Sequence, residues 1–367
     1  MQRTPLHDQH QLAGAKLIDF AGWEMPIHYS GVIDEYHTVR TTAGLFDVSH
    51  MGRLVVAGAG SGTFLQRMTT NDVSRLAVGQ AQYSMVCNDR GGIKDDIFVY
   101  RTGEQDFLLC VNASNRGKIL DWIREHHGNG DRCTIEDRSD AVAQIAIQGP
   151  ASRAILNSLS ARDLNGLKLH HTCEGRVADI PCFIARTGYT GELGYEVNVS
   201  SEKAAELWKR LLERGMAHGA KPAGLGARDL LRLEMGYLLY GNDIDEETTP
   251  LEADVEWTVQ FSKEEFIGSK ALTAQKKEGV KRKLVAFELV EKGLPRHGFQ
   301  IMDTSSSQVI GEVTSGNLSP RLQKGIGLGY VRSSLAAPGT SMAINIRGKV
   351  LPAVVVKLPF YKKPKDL

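Results

Sequence analysis

Past residue 283 the chain turns almost wholly to strand and turn. The runs KLVAFELV, GEVTSG, GIGLGYV, SMAINIRG and LPAVVVKLPF follow one another between glycines and turn residues. Short strands in such a series must close on one another or stack as a second layer, so a small β-barrel or sandwich is expected there. The polar, charge-rich run AQKKEGVKRK (274–283) has no apolar period and marks the boundary. The expected division is 1–275 and 276–367. Ahead of it the strand-like runs are short: RLVVAG (53–58), DFLLCVNA (106–113), AQIAIQG (143–149) and YEVNVS (195–200). Helices lie between only some of them. In SEKAAELWKRLLERG (201–215), Ala204, Leu207, Trp208, Leu211 and Leu212 recur with the period of one buried helix face. Ser201 is expected as its N-cap and Gly215 as its stop. A second helix is expected over about 227–240. Clustered strands without strict strand–helix alternation predict an α+β chain with antiparallel sheets rather than a doubly wound fold. The ending YKKPKDL reads as a solvated basic tail.

Lys plus Arg number 44 against 43 Asp plus Glu, a net charge of +1. Such a chain has no overall field to draw nucleic acid or a membrane, so neither is expected as a partner, and a charged ligand must be held by local groups. The five cysteines form no C-x-x-C pair, and their odd number argues against a closed disulfide framework. With no signal-like start and no apolar run near the roughly 20 residues of a membrane span, the expectation is a cytoplasmic protein or a trimmed organellar one.

Familiar chemical motifs fail on inspection. GAGSG (58–62) is followed by Thr63 where a dinucleotide fingerprint wants glycine, and no Walker sequence occurs. The histidine clusters lack metal-ligand spacing, so no metal is expected. The acidic run 242–247 reads as a loop whose acids cap backbone amides. What stands out is GGIKDDIFVY (91–100), where two carboxylates sit side by side in a strand, although Asp is a poor strand former. Alternation puts Asp95 with Ile93, Ile97 and Val99, and Asp96 with Lys94, Phe98 and Tyr100. Four more polar segments are rich in glycine and aromatics: AQYSMVCN (81–88), RTGYTGELGYE (186–196), GARDLLRLEMGYLLYGND (226–243) and TSGNLSP (314–320). Together they suggest a pocket with flat aromatic walls and a few charged fixing groups.

From end to end the chain resembles the aminomethyltransferase (T-protein) family of the glycine cleavage system. The blocks RTPLHDQHQLAGAKLIDFAGWEMPIHY, FDVSHMG, GGIKDD, RTGYTGELGYE, PAGLGARDLLRLEMGYLLYGNDIDEETTPLEA and EVTSGNLSP carry the resemblance, in the family's order. It implies a three-domain cloverleaf, with two interleaved antiparallel α+β units and a C-terminal β-barrel around a central opening for tetrahydrofolate. It also implies a reaction: the aminomethyl group on the lipoyl arm of the H-protein passes to tetrahydrofolate. Ammonia is released, 5,10-methylenetetrahydrofolate forms, and dihydrolipoyl stays on the carrier.

The family's key acid matches Asp96, which alternation separately turns away from the apolar face; Asp95 is then structural, bonded to nearby amides or a cation. Glu196 matches the acid that fixes the pterin edge, and Arg228 the arginine that holds a folate oxygen or carboxylate. Tyr83, Tyr100 and Tyr237 are candidate ring contacts, with Met51 and Asn112 lining the same opening and Tyr361 carried over from a loosely aligned tail. Each tyrosine taken alone reads equally as core or site. Lys94 departs from the family, where an aliphatic residue is usual; it either steadies Asp96 as an ion or curls toward solvent. Two rivals share the fold: the folate domains of sarcosine- and dimethylglycine-oxidising enzymes, and a folate-binding accessory protein. The first needs a flavin domain with its fingerprint, and the second a K-G-C-Y-x-G-Q segment; both features are missing.

Overall fold

Before residue 225 a two-stranded hairpin, Lys16–Phe20 with Trp23–His28, is followed by two larger sheets whose members interleave along the chain. The six-stranded sheet runs, in spatial order, Thr172–Val177, Ile180–Ala185, Gly194–Ser200, Val142–Gln148, Gly44–Asp47 and Lys221–Pro222. The five-stranded sheet runs Ala81–Cys87, Ile93–Arg101, Asp106–Val111, Gly52–Ala57 and Thr134–Asp137. Its segment, 52–137, is inserted between two strands of the first sheet. Pairing is antiparallel apart from a short parallel join of Lys221–Pro222 to Gly44–Asp47. This computed structural model describes residues 1–362 except 264 and 307, so the tail from 363 lies outside the described residues.

The helix Ala204–Met216 buries Leu207, Trp208 and Leu211 in one cluster with Ile145, Tyr195 and Val197 of the six-stranded sheet. Each such side chain contributes about 1.5–3 kcal/mol. Its start departs from expectation. Residues Ser201–Lys203 form a 3₁₀ turn, and the Ser201 hydroxyl donates to the Asp140 carbonyl instead of capping. Gly215 lies inside the helix, where a Cβ would come 2.8 Å from Ala220. The second helix, Leu225–Met235, ends five residues earlier than expected. Gly236 takes φ +71°, its N–H bonds the Leu233 carbonyl, and that of Tyr237 bonds Arg232, a glycine stop. The polar boundary run also gains order: the helix Ser269–Glu278, anchored by buried Leu272, extends into it.

The strand Arg282–Leu289 pairs with both Lys324–Arg332 and Lys349–Val356, closing a six-stranded barrel through Val309–Ser319, Gln300–Met302 and Ser341–Ile346. Phe287, Ile301, Val313 and Ile344 fill its interior. A separate cluster joins the units: Met85 and Ile93 of the five-stranded sheet, Leu233 of the second helix, and Leu284 and Ile326 of the barrel. The five-stranded sheet, the second helix and the barrel therefore share a core, beside a large opening. Among the described residues no helix is long and apolar enough to cross a membrane.

Candidate active site

The strand Ile93–Arg101 opens on a close approach. A Cβ on Gly92 would stand 1.8 Å from the Glu246 carbonyl oxygen, so only glycine lets the 241–248 loop pack there. The loop then accepts the Ile93 N–H at Asp245 and Thr248. Its acids do cap amides: Asp245 accepts from the Glu247 N–H at 3.0 Å and Asp243 from the Leu239 N–H at 2.9 Å. Along the strand Ile93, Asp95, Ile97 and Val99 are buried, while Asp96 and Phe98 line the opening.

The paired acids divide as alternation predicts. Asp95 is fully buried and accepts from the Asn112 N–H at 2.9 Å, the Asn112 amide at 2.8 Å and the Asn115 amide at 2.5 Å. Asp96 accepts from the Tyr83 hydroxyl at 2.7 Å and the Asn112 amide at 2.7 Å. Asn112 thus grips both carboxylates and sets their spacing. Burial pushes both acids above the usual carboxylate range, and repulsion from Asp96 adds to this for Asp95. The N–H and O–H donors pull the other way. Lys94 reaches neither acid. Its ammonium pairs with Glu246 at 3.1 Å over the Trp122 ring, which corrects the idea that it steadies Asp96.

Facing Asp96 across the opening, the strand Gly194–Ser200 presents Glu196, whose carboxylate accepts from the Thr187 hydroxyl at 2.5 Å. The helix Leu225–Met235 presents Arg228, with its guanidinium 4.7 Å from the centre of the Tyr189 ring. Burial pulls Arg228 below its usual pKa and Glu196 pushes back; a guanidinium stays charged throughout. No hydrogen bond or ion pair with a described residue occupies it. Tyr189 stacks on Tyr237 at 5.7 Å, and Tyr83 stacks on Trp257 at 5.8 Å. Tyr100 lines the same space, its hydroxyl held protonated by burial and by the Glu196 charge. The cavity measures about 2170 Å³, and Met51, His50, Asn112, Ser315 and Leu358 also line it. That is about twice the roughly 1000 Å³ to which single-ligand pockets run.

Of the residues singled out from the sequence, Met51, Tyr83, Asp96, Tyr100, Asn112, Glu196, Arg228 and Tyr237 all meet on this one cavity. Tyr361 does not. Its ring lies 4.0 Å from the Arg40 guanidinium, and its N–H bonds the Glu234 carbonyl, which locks it away from the opening. Sequence reasoning missed His50, Tyr189 and Trp257 as wall residues. The first two lie inside blocks already quoted, FDVSHMG and RTGYTGELGYE. Trp257 sits in a short 3₁₀ segment with no pattern to mark it.

The GCVT N-terminal domain family matches residues 6–263, and the glycine cleavage T-protein C-terminal barrel domain matches 282–362. The chain belongs to the glycine cleavage T-protein family. Within it, the chain is 49% identical over 360 residues to an aminomethyltransferase of Halothermothrix orenii, covering 98% of this chain and 100% of that one. An aminomethyltransferase of Chloroherpeton thalassium is 48% identical, covering 99% of each. The solved structure of the glycine cleavage system aminomethyltransferase T from Bartonella henselae superposes with a TM-score of 0.91 at 34% identity, covering 98% of both chains. The T-protein fold, with its mixed sheets, helices and closed barrel, is therefore present in full, and the enzyme class is that of the aminomethyltransferases of glycine cleavage. Likeness over the whole length does not favour an accessory folate binder or a detached domain of a flavin oxidase.

Proposed function

We propose that the chain takes the aminomethyl group from the lipoyl arm of an H-protein and delivers it to tetrahydrofolate. Ammonia is released, 5,10-methylenetetrahydrofolate forms, and dihydrolipoyl remains on the carrier. The observation that carries this reading is Asp96: a half-buried carboxylate held by Tyr83 and Asn112, on a cavity also lined by an acid and by an arginine with no ion-pair partner among the described residues. Glu196 accepts the paired N–H donors of a pterin edge, and Arg228 donates to a ligand oxygen. Tyr83, Tyr100, Tyr237 and Met51 supply ring and thioether contacts, and Asn112 sets the angle of the acid. Asp96 stabilises the positive charge that grows on the attacking amine and accepts its proton.

The same reading includes a functional division at 275/276 and a cytoplasmic location, supported by five free cysteines. The test is ammonia release from aminomethylated carrier, with and without tetrahydrofolate. Asp96→Asn should retain folate affinity and lower turnover about 100-fold or more. Turnover at the wild-type rate would take Asp96 out of the mechanism, and release independent of folate would refute the reading as a whole.

A further inference from the structure

One wall residue has no role in the chemistry above. His50 follows the strand Gly44–Asp47, lines the cavity, and is only 3% exposed. Its Nδ1 is buried without a hydrogen-bond partner among the described residues. The carboxylate nearest in sequence, Asp47, is already taken by His10 at 2.9 Å, Thr4 at 2.6 Å and the Ser49 N–H at 2.8 Å. The Phe20 ring meets the imidazole edge-on at 5.7 Å and offers no acceptor. A buried polar atom left unpaired costs about 1–3 kcal/mol, so the ring holds this position at the expense of stability.

The tautomer follows from the same facts. A stranded N–H is rarer in proteins than a stranded lone pair. With no acceptor beside Nδ1, the proton belongs on Nε2, the ring nitrogen left to meet a ligand. Burial pulls the imidazole pKa down to about 4, opposed by the Asp47 charge and aided by Arg228 and Arg53, so the ring is neutral near pH 7. His50 is therefore a neutral donor within electrostatic reach of Arg228, a charged donor with no partner among the described residues. Arg228 in turn lies within reach of Glu196. A row of one carboxylate followed by donors matches a pterin edge, which sets two N–H groups beside a carbonyl oxygen with two lone pairs.

We propose that His50 and Arg228 together clamp the carbonyl oxygen of the pterin ring, an assignment that rests on the folate reading above. His50 is thus a specificity residue for the 4-oxo ring. Replacing that oxygen with an amino group would turn a donor toward two donors.

The experiment is calorimetric binding of tetrahydrofolate and of its 4-amino-4-deoxy analogue to the full chain. Wild type should favour the 4-oxo compound by about 10-fold or more. His50→Phe should weaken tetrahydrofolate binding about 10-fold and shrink the preference by the same factor. His50→Gln, which keeps an N–H donor, should recover most of both. An unchanged preference in His50→Phe overturns the proposal. Should that variant not fold, equal wild-type affinity for the two ligands, or a His50→Gln preference no different from one, overturns it instead. Wild type that binds neither compound refutes the folate reading itself, a separate and recognisable outcome.

Discussion

Asp95 receives three N–H donors and offers none, so its environment is built for an anion. Asp95→Asn would set an amide against the amides of Asn112 and Asn115. The expected cost is about 1–3 kcal/mol of stability, read from urea denaturation. Because Asn112 also holds Asp96, turnover should fall as well, with folate affinity nearly kept. A variant as stable and active as wild type would mean that Asp95 is dispensable. Its neighbour on the chain differs. Lys94 pairs with Glu246, not with Asp96, so Lys94→Ile should leave the pH profile of turnover unchanged. A displaced profile would show that the ammonium acts on the acid from a distance. Alternation foresaw which acid faces the cavity, because side-chain direction on a strand is a local property. It could not foresee where a lysine's flexible stem would lead, since its partner lies 152 positions away.

At the scale of elements, the end of the strand Gly44–Asp47 ties down the N-terminal segment through Thr4 and His10. Burial alone would raise the Asp47 pKa, but His10, Ser49 and Thr4 hold it down to about 2. An unfolded aspartate titrates near 4. The folded pKa is the lower one, so this carboxylate's stabilisation is complete above about pH 4 and is lost as pH falls toward 2. On the order of 2 kcal/mol rides on it. Asp47→Asn should therefore be less stable at pH 7 and lose less on acidification, as measured by urea midpoints at pH 6 and pH 3. Equal acid sensitivity in the two proteins would place the loss elsewhere. Element ends were the least legible part of the sequence. Gly236 stops its helix by adopting a left-handed conformation, whereas Gly215 stays helical because Ala220 packs against it; a glycine in sequence signals both alike.

For the whole molecule, the decisive contacts cross between units. Glu234 is fully buried and accepts from Tyr36 at 2.8 Å, from Arg40 at 2.7 Å and from Ser319 of the barrel at 2.5 Å. Ser319 also lines the cavity. Glu234→Gln would weaken the neutralisation of a buried guanidinium that keeps Glu192 as its other partner. A loss of about 3 kcal/mol is expected, with folate affinity falling as the barrel wall loosens. Unchanged denaturation would show that the junction rests on its apolar cluster alone.

Four strands and two helices ahead of the boundary, the strand-rich C-terminal part and the outward turn of Asp96 were written in the sequence, since periodicity and turn chemistry act over a few residues. The resemblance also named eight residues of the cavity wall, and the order of the motif blocks along the whole chain named the family. Tertiary structure alone decided that Tyr361 sits on Arg40, that Lys94 goes to Glu246, and that His50, Tyr189 and Trp257 complete the site. Those outcomes depend on which distant groups compete for each side chain once the sheets close around a shared core, and no local pattern records that competition.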